Sequence, residues 1–192
     1  ILQGSARINE GIENMPEILF LPLDERPCNL NYPVLMCEGC DDVRLRMPPA
    51  ELLGLKKRPA DTGALMNWIR ENIAGCEAAV LSVDMLLYGG IVPSRLHRFT
   101  PEECLNRLNA PRDLHREAPG CKLYAFNLIM RAPAYSSSEE EPDYYATCGR
   151  ALFEIGYYAD KAERAALSAE EAERLESRRR EVPPEVLKEF GA

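Results

Sequence analysis

Four short apolar runs, separated by amphipathic stretches, divide this chain. Ile18-Leu19-Phe20-Leu21 stops abruptly at Pro22-Leu23-Asp24-Glu25-Arg26-Pro27. A short apolar run bounded by turn residues has the pattern of a buried strand. Ala78-Ala79-Val80-Leu81-Ser82-Val83 is nearly continuous and predicts a strand covered on both faces, ending at Asp84. Lys122 to Met130 predicts another strand, ending at Arg131-Ala132-Pro133. Val43-Arg44-Leu45-Arg46-Met47 differs, because it alternates strictly. Its arginines share one face, which suits a strand at the margin of a sheet.

Helical signals fill the gaps. Leu30 to Met36 is apolar enough for a short helix, with Gly39 as a stop. Pro59-Ala60-Asp61-Thr62 opens a second helix, with Asp61 or Thr62 as N-cap. Leu65, Met66, Trp68, Ile69 and Ile73 make its buried face, and Gly75 terminates it. Thr100-Pro101-Glu102-Glu103 is a capping box for a helix to about His115, with a kink or early end expected at Pro111. After a polar loop from Tyr135 to Tyr145 the pattern turns helical. Ser168-Ala169-Glu170-Glu171 caps a highly charged helix to Glu181, and Val186, Leu187 and Phe190 begin a last short one.

Strands alternating with helices imply a parallel sheet with right-handed crossovers. The predicted fold is α/β, an open doubly wound parallel sheet of about four strands in the order 2-1-3-4, followed by a helical C-terminal extension. The alternative is the first half of an α/β barrel. Residues 1–14 are polar and unpatterned, and Met15 stands just before the first strand. Asn9-Glu10-Gly11 can be encoded by a purine-rich stretch like a ribosome-binding site. The expected division is an unstructured leader over 1–14 with Met15 as the true start, an α/β domain over 15–135, and a loop and helical extension over 136–192.

Charge and cysteine usage narrow the function. A net charge of -8 argues against a nucleic-acid partner, which wants a basic face. No apolar run is long enough to span a bilayer, and no basic-then-apolar signal opens the chain. Seven scattered cysteines, an odd count, point to reduced thiols in a cytoplasm. Cys37-Glu38-Gly39-Cys40 lacks a second pair or a nearby histidine, so it reads as a helix end with two ordinary thiols rather than a zinc site.

Chemistry is expected at the carboxyl ends of the strands. The topological switch point falls between strands one and three, which puts Asp24 and Asp84 on either side of one crevice. The candidate catalytic residues are Asp24, Glu25 and Asp84. The candidate substrate-binding residues are Arg26, Tyr88, Arg95, Asn127 and Arg131. Carboxylates across a cleft can serve as general acid and base, or can hold a hard divalent cation such as Mg²⁺. Arginines at neighbouring strand ends can clamp an anionic group through paired hydrogen bonds. Against this stands a purely structural reading, in which one of Asp24 and Glu25 pairs with Arg26 or Arg95 and holds the loop shut. His97 follows the third strand's loop, and His115 falls on a solvated helix face. Neither a G-x-S-x-G elbow nor a phosphate-binding glycine fingerprint is present. Two readings follow. One is an enzyme doing acid/base or metal-assisted chemistry, with hydrolysis as the candidate reaction, on a small polar, sugar-like or anionic substrate. The other is a non-catalytic small-ligand binding or assembly module.

Several of these segments carry a resemblance. Leu21-Pro22-Leu23-Asp24-Glu25-Arg26-Pro27-Cys28-Asn29 and Leu81 to Arg95 resemble the hallmark segments of a bacterial family known as domain of unknown function 4127. Pro59-Ala60-Asp61-Thr62, Ala125 to Pro133, Tyr135-Ser136-Ser137 and Glu140 to Tyr145 match it too. The resemblance runs from Met15 onward and implies no particular reaction. It does imply a longer protein, of which this chain is an N-terminal portion. The expected partner is therefore the family's C-terminal portion, lying against the uncovered side of the fourth strand.

Overall fold

The structure is a computed structural model that describes residues 15–40 and 42–191. The expected leader over 1–14 lies outside the described residues. The described residues divide into two compact units, one ending at Leu128 and one beginning at Ile129.

The first unit is built on a four-stranded, all-parallel sheet in the order β2-β1-β3-β4. The strands are β1 (Glu17–Leu21), β2 (Arg44–Arg46), β3 (Ala78–Ser82) and β4 (Lys122–Phe126). The predicted order and parallel sense are those observed. Leu21 pairs with Leu81, and Ser82 with Phe126, so the strands end together and release the following residues at one end of the sheet. The alternating strand is indeed marginal: Arg46 reaches from β2 to the Glu17 carboxylate and donates to the Asn72 carbonyl at 2.5 Å.

The helices of this unit follow local chemistry. Pro27 starts α1 (Pro27–Glu38), where a missing amide costs nothing. Asp61 caps α2 (Thr62–Asn72), accepting from the Gly63 and Ala64 amides. Leu65, Met66 and Ile69 of α2 are buried, and they pack with Leu19, Leu21, Ala79 and Leu81 into the core. β3 passes without a loop into α3 (Val83–Tyr88), because the Ser82 hydroxyl accepts from the Met85 amide and begins a helix where the strand stops. A short α4 (Pro93–Leu96) and a long α5 (Pro101–Glu117) follow, the latter with the expected Thr100–Glu103 capping box.

One expectation narrows and one changes. α5 runs to Glu117, close to the expected end near His115, and the early end at Pro111 does not occur. Leu114, fully buried in the core, anchors the turns beyond the proline and outweighs the one hydrogen bond lost there. β4 ends at Phe126, short of Met130. The Leu128 amide is taken by the Asp84 carboxylate at 3.0 Å rather than by a strand neighbour.

The second unit contains α6 (Tyr145–Arg164), α7 (Ala169–Glu181) and α8 (Pro184–Phe190). Cys148, Leu152, Ile155, Val182 and Val186 form its core. At its centre Glu154 is buried and takes three guanidinium groups: Arg150 at 2.7 Å, Arg174 at 3.3 Å and Arg178 at 2.7 Å. Burial alone would raise the Glu154 pKa. The hydrogen bonds from Arg178 and Arg150, with the nearby charges, outweigh it and hold the carboxyl at about 2.

No helix among the described residues is long and apolar enough to cross a membrane.

Candidate functional site

Three of the unusual sequence segments meet at the carboxyl end of the sheet. Gly89 has φ +81°, a left-handed conformation, and its carbonyl accepts from the Ala60 amide at 3.0 Å. A Cβ placed on Gly89 would sit 2.6 Å from the Ala60 nitrogen, so only glycine allows Pro59–Thr62 to lie this close to Tyr88–Gly90. A Cβ on Gly90 would in turn lie 4.0 Å from the Leu23 carbonyl, which brings the loop after β1 to the same place. Asp24 and Asp84 thus follow the ends of neighbouring parallel strands, as the topology requires.

Their environments differ. Asp24 is buried, and both its oxygens serve its own loop. Oδ1 accepts from the Arg26 amide at 3.0 Å and from Asn29 Nδ2 at 2.6 Å, while Oδ2 accepts from Arg26 Nε at 2.6 Å. Glu25 turns the other way and accepts from the Lys56 amide at 2.8 Å. Arg26 is therefore a partner of Asp24, and this pair holds the entry to α1. Asp84 lies on α3, also buried, one oxygen bonded to the Leu128 amide. Tyr88 stands one turn further along the same helix.

The remaining candidates spread out. Arg95 is half-buried on α4, and Asn127 is exposed just past β4. Arg131 belongs to the second unit, where its guanidinium lies 5.7 Å from the Tyr135 ring centre. Among the described residues no group of three or more His, Cys, Asp or Glu side chains is arranged to hold a metal ion.

A cavity of about 370 Å³ opens beside two of these segments, lined by Pro59 to Thr62 and by Tyr88, Pro93, His97, Phe99 and Arg107 among others, but by neither Asp24 nor Asp84. The Tyr88 and His97 rings stack at 4.4 Å, and Phe99 lies 5.4 Å from His97. The Tyr88 hydroxyl lies 3.9 Å from Cys104 Sγ. Burial first, then Cys104 and the Asp84 charge, push the Tyr88 phenol pKa up. Burial, with help from the Arg107 charge, pushes His97 down and favours its neutral form. His97 Nδ1 accepts from the Phe99 amide at 3.1 Å, so the proton of the neutral ring sits on Nε2 and can be donated.

Arg107 was not among the residues that the sequence brought forward, because a lone arginine on a charged helix reads as solvated. A signal was present: Cys104, Arg107, Ala110 and Leu114 recur at helical spacing and form the covered stripe of α5. A larger opening, about 760 Å³, lies around the amino ends of the strands and is lined by Glu17, Cys76, Glu77, Cys121 and others. It is far from the strand ends where this fold binds ligands, and it contains none of the three converging segments.

Fold and cavity together define an open-sheet α/β protein with a small-molecule-sized recess at the carboxyl end of its strands. The chain belongs to the family described as protein of unknown function (DUF4127), whose model matches residues 18–192. No curated protein and no solved structure matches it.

Proposed function

We propose that this chain is a small-ligand binding module whose ligand sits in the recess beside Tyr88. The observation that carries this reading is the lining of that recess by Pro59–Thr62, Tyr88 and Pro93, from two segments that Gly89 locks together. The strand-end acids mainly organise loops: Asp24 closes on Arg26 and Asn29, and Glu25 on the Lys56 amide. The volume of about 370 Å³ suits a sugar, a sugar acid or a sugar phosphate. In a thermal-shift panel of neutral hexoses, hexuronates and sugar phosphates, at least one compound should raise the melting temperature of the wild type and not of Tyr88→Ala. A panel that moves neither protein would sink the reading.

A second reading, an enzyme acting on the same ligand, is favoured by one observation. Asp84 is a buried carboxylate one helical turn from Tyr88, close enough for its charge to act on the phenol. In that case Asp84 serves as general acid or base, assisted by a cation such as Mg²⁺. Asp84→Asn should then bind the ligand found by the panel and fail to convert it, with and without magnesium chloride. The free state of all seven cysteines supports a reducing, cytoplasmic compartment.

For partners, we propose that further chain of the same family covers β4. This strand is the open margin of the sheet, and Tyr124 and Phe126 stand out from it, Tyr124 with 56% of its surface exposed, with Leu128 exposed just beyond its end. Alone, the chain should bind a hydrophobic dye or self-associate. A dye-silent monomer in sedimentation would count against this partner.

A further inference from the structure

We propose that the recess beside Tyr88 is an anion site, in which Arg107 clamps the negatively charged group of a small ring-bearing ligand. The inference rests on the binding reading above and narrows it to one ligand class.

Arg107 is built into the recess rather than waving over it. Its Nη1 donates to the Leu87 carbonyl at 2.7 Å and reaches Thr62 Oγ1 at 3.4 Å. Its guanidinium carbon lies 3.8 Å from the centre of the Phe99 ring, which supports the group from one side. These contacts fix the fork with one nitrogen. Nε and Nη2 donate to no group among the described residues, and a paired edge of that kind matches a carboxylate, phosphate or sulfate. Because the side chain is already held, little freedom is lost when a ligand arrives.

The surroundings favour the same charge. The lining contains Lys57 and Arg107 against a single acid, Asp61, in a chain whose net charge is -8. Asp61 is committed to the start of α2, with Oδ1 accepting from two backbone amides. His97, kept neutral, offers the Nε2 proton and no charge of its own. The Tyr88 and His97 rings supply an apolar wall for the uncharged part of the ligand.

The chain has two histidines, so nuclear magnetic resonance of histidine-labelled protein reads the recess through His97 with His115 as reference. Phenyl phosphate and benzoate are the charged probes, phenol the neutral one. The expected result is that a charged probe shifts the His97 ring signals, leaves those of His115 in place, and binds at least about tenfold more tightly than phenol. Arg107→Gln should weaken that binding roughly ten- to hundredfold, and Arg107→Lys by less. The preference between phosphate and carboxylate then names the anion. Phenol shifting His97 as readily as the charged probes overturns the anion inference while the binding reading stands. His97 unmoved by all three probes overturns the anion inference, and a silent sugar panel beside that result overturns the binding reading too. The comparison of charged and neutral probes is made on the wild type and needs no variant to fold.

Discussion

Gly89→Ala is expected to destabilise the first unit by roughly 3 kcal/mol. Two costs add. At φ +81° any L side chain is strained, by about 1 kcal/mol or somewhat more. The new Cβ would also sit 2.6 Å from the Ala60 nitrogen and 2.7 Å from its oxygen. Both are backbone atoms and cannot swing aside like the tip of a flexible side chain, so the segment before α2 must move. Gly75→Ala separates the two costs, because Gly75 has φ +85° and no atom within 4 Å of where its Cβ would stand. It should lose only about 1 kcal/mol. Urea denaturation of the full chain measures both. Equal losses for the two variants would show that Ala60 does not pack on Gly89.

The second unit should be sensitive to acid through Glu154. Its pKa is depressed from an ordinary 4.5 to about 2 in the folded state. A depressed carboxyl contributes its full stability above the unfolded value and loses it as pH falls through the folded one. The loss should therefore begin below about pH 4.5 and be complete near pH 2. A shift of this size corresponds to about 3 kcal/mol at face value. Arg150 and Arg174 are half-exposed and screened, so on the order of 2 kcal/mol is the better expectation. Glu154→Gln should show that loss already at neutral pH and lack this acid-sensitive component. Helix content followed by circular dichroism across pH 2 to 7 reads both proteins, and parallel pH curves for the two would remove Glu154 from the account. Two units can unfold separately, so the transition is best fitted with two steps.

Where sequence and structure agree, the signal was local. The Ala78–Ser82 run is a strand buried almost throughout, and the Ile18–Leu21 run buries Leu19 and Leu21 with Ile18 and Phe20 half-covered, because apolar residues of this kind are satisfied only against covering layers. Arg44 and Arg46 on alternate positions place β2 at the margin, where a charged side chain can still reach a partner. The Thr100–Glu103 and Ser168–Glu171 boxes act within four residues and were legible for that reason. What escaped depended on residues far apart. The length of β4 turns on a carboxylate 44 residues away, since Asp84 takes the Leu128 amide. Arg107 enters the recess because Leu87, 20 residues earlier, offers a carbonyl. The glycine pair at 89 and 90 is visible in the sequence, but its role is fixed only when Ala60 arrives beside it.

The sheet is not symmetric at its two margins. On one side β2 is three residues long, and its Arg46 is bound to Glu17 and to the Asn72 carbonyl. On the other, β4 is five residues long, with Tyr124 and Phe126 open. A chain that polymerises by stacking sheets needs two receptive margins, one to give and one to accept. With one side guarded by charge and brevity, growth through the other is self-limiting: two copies joined strand to strand leave no receptive margin. A pair joined through β4 would thus bury both open margins, and the short, charged β2 of each copy would oppose further growth into a fibre.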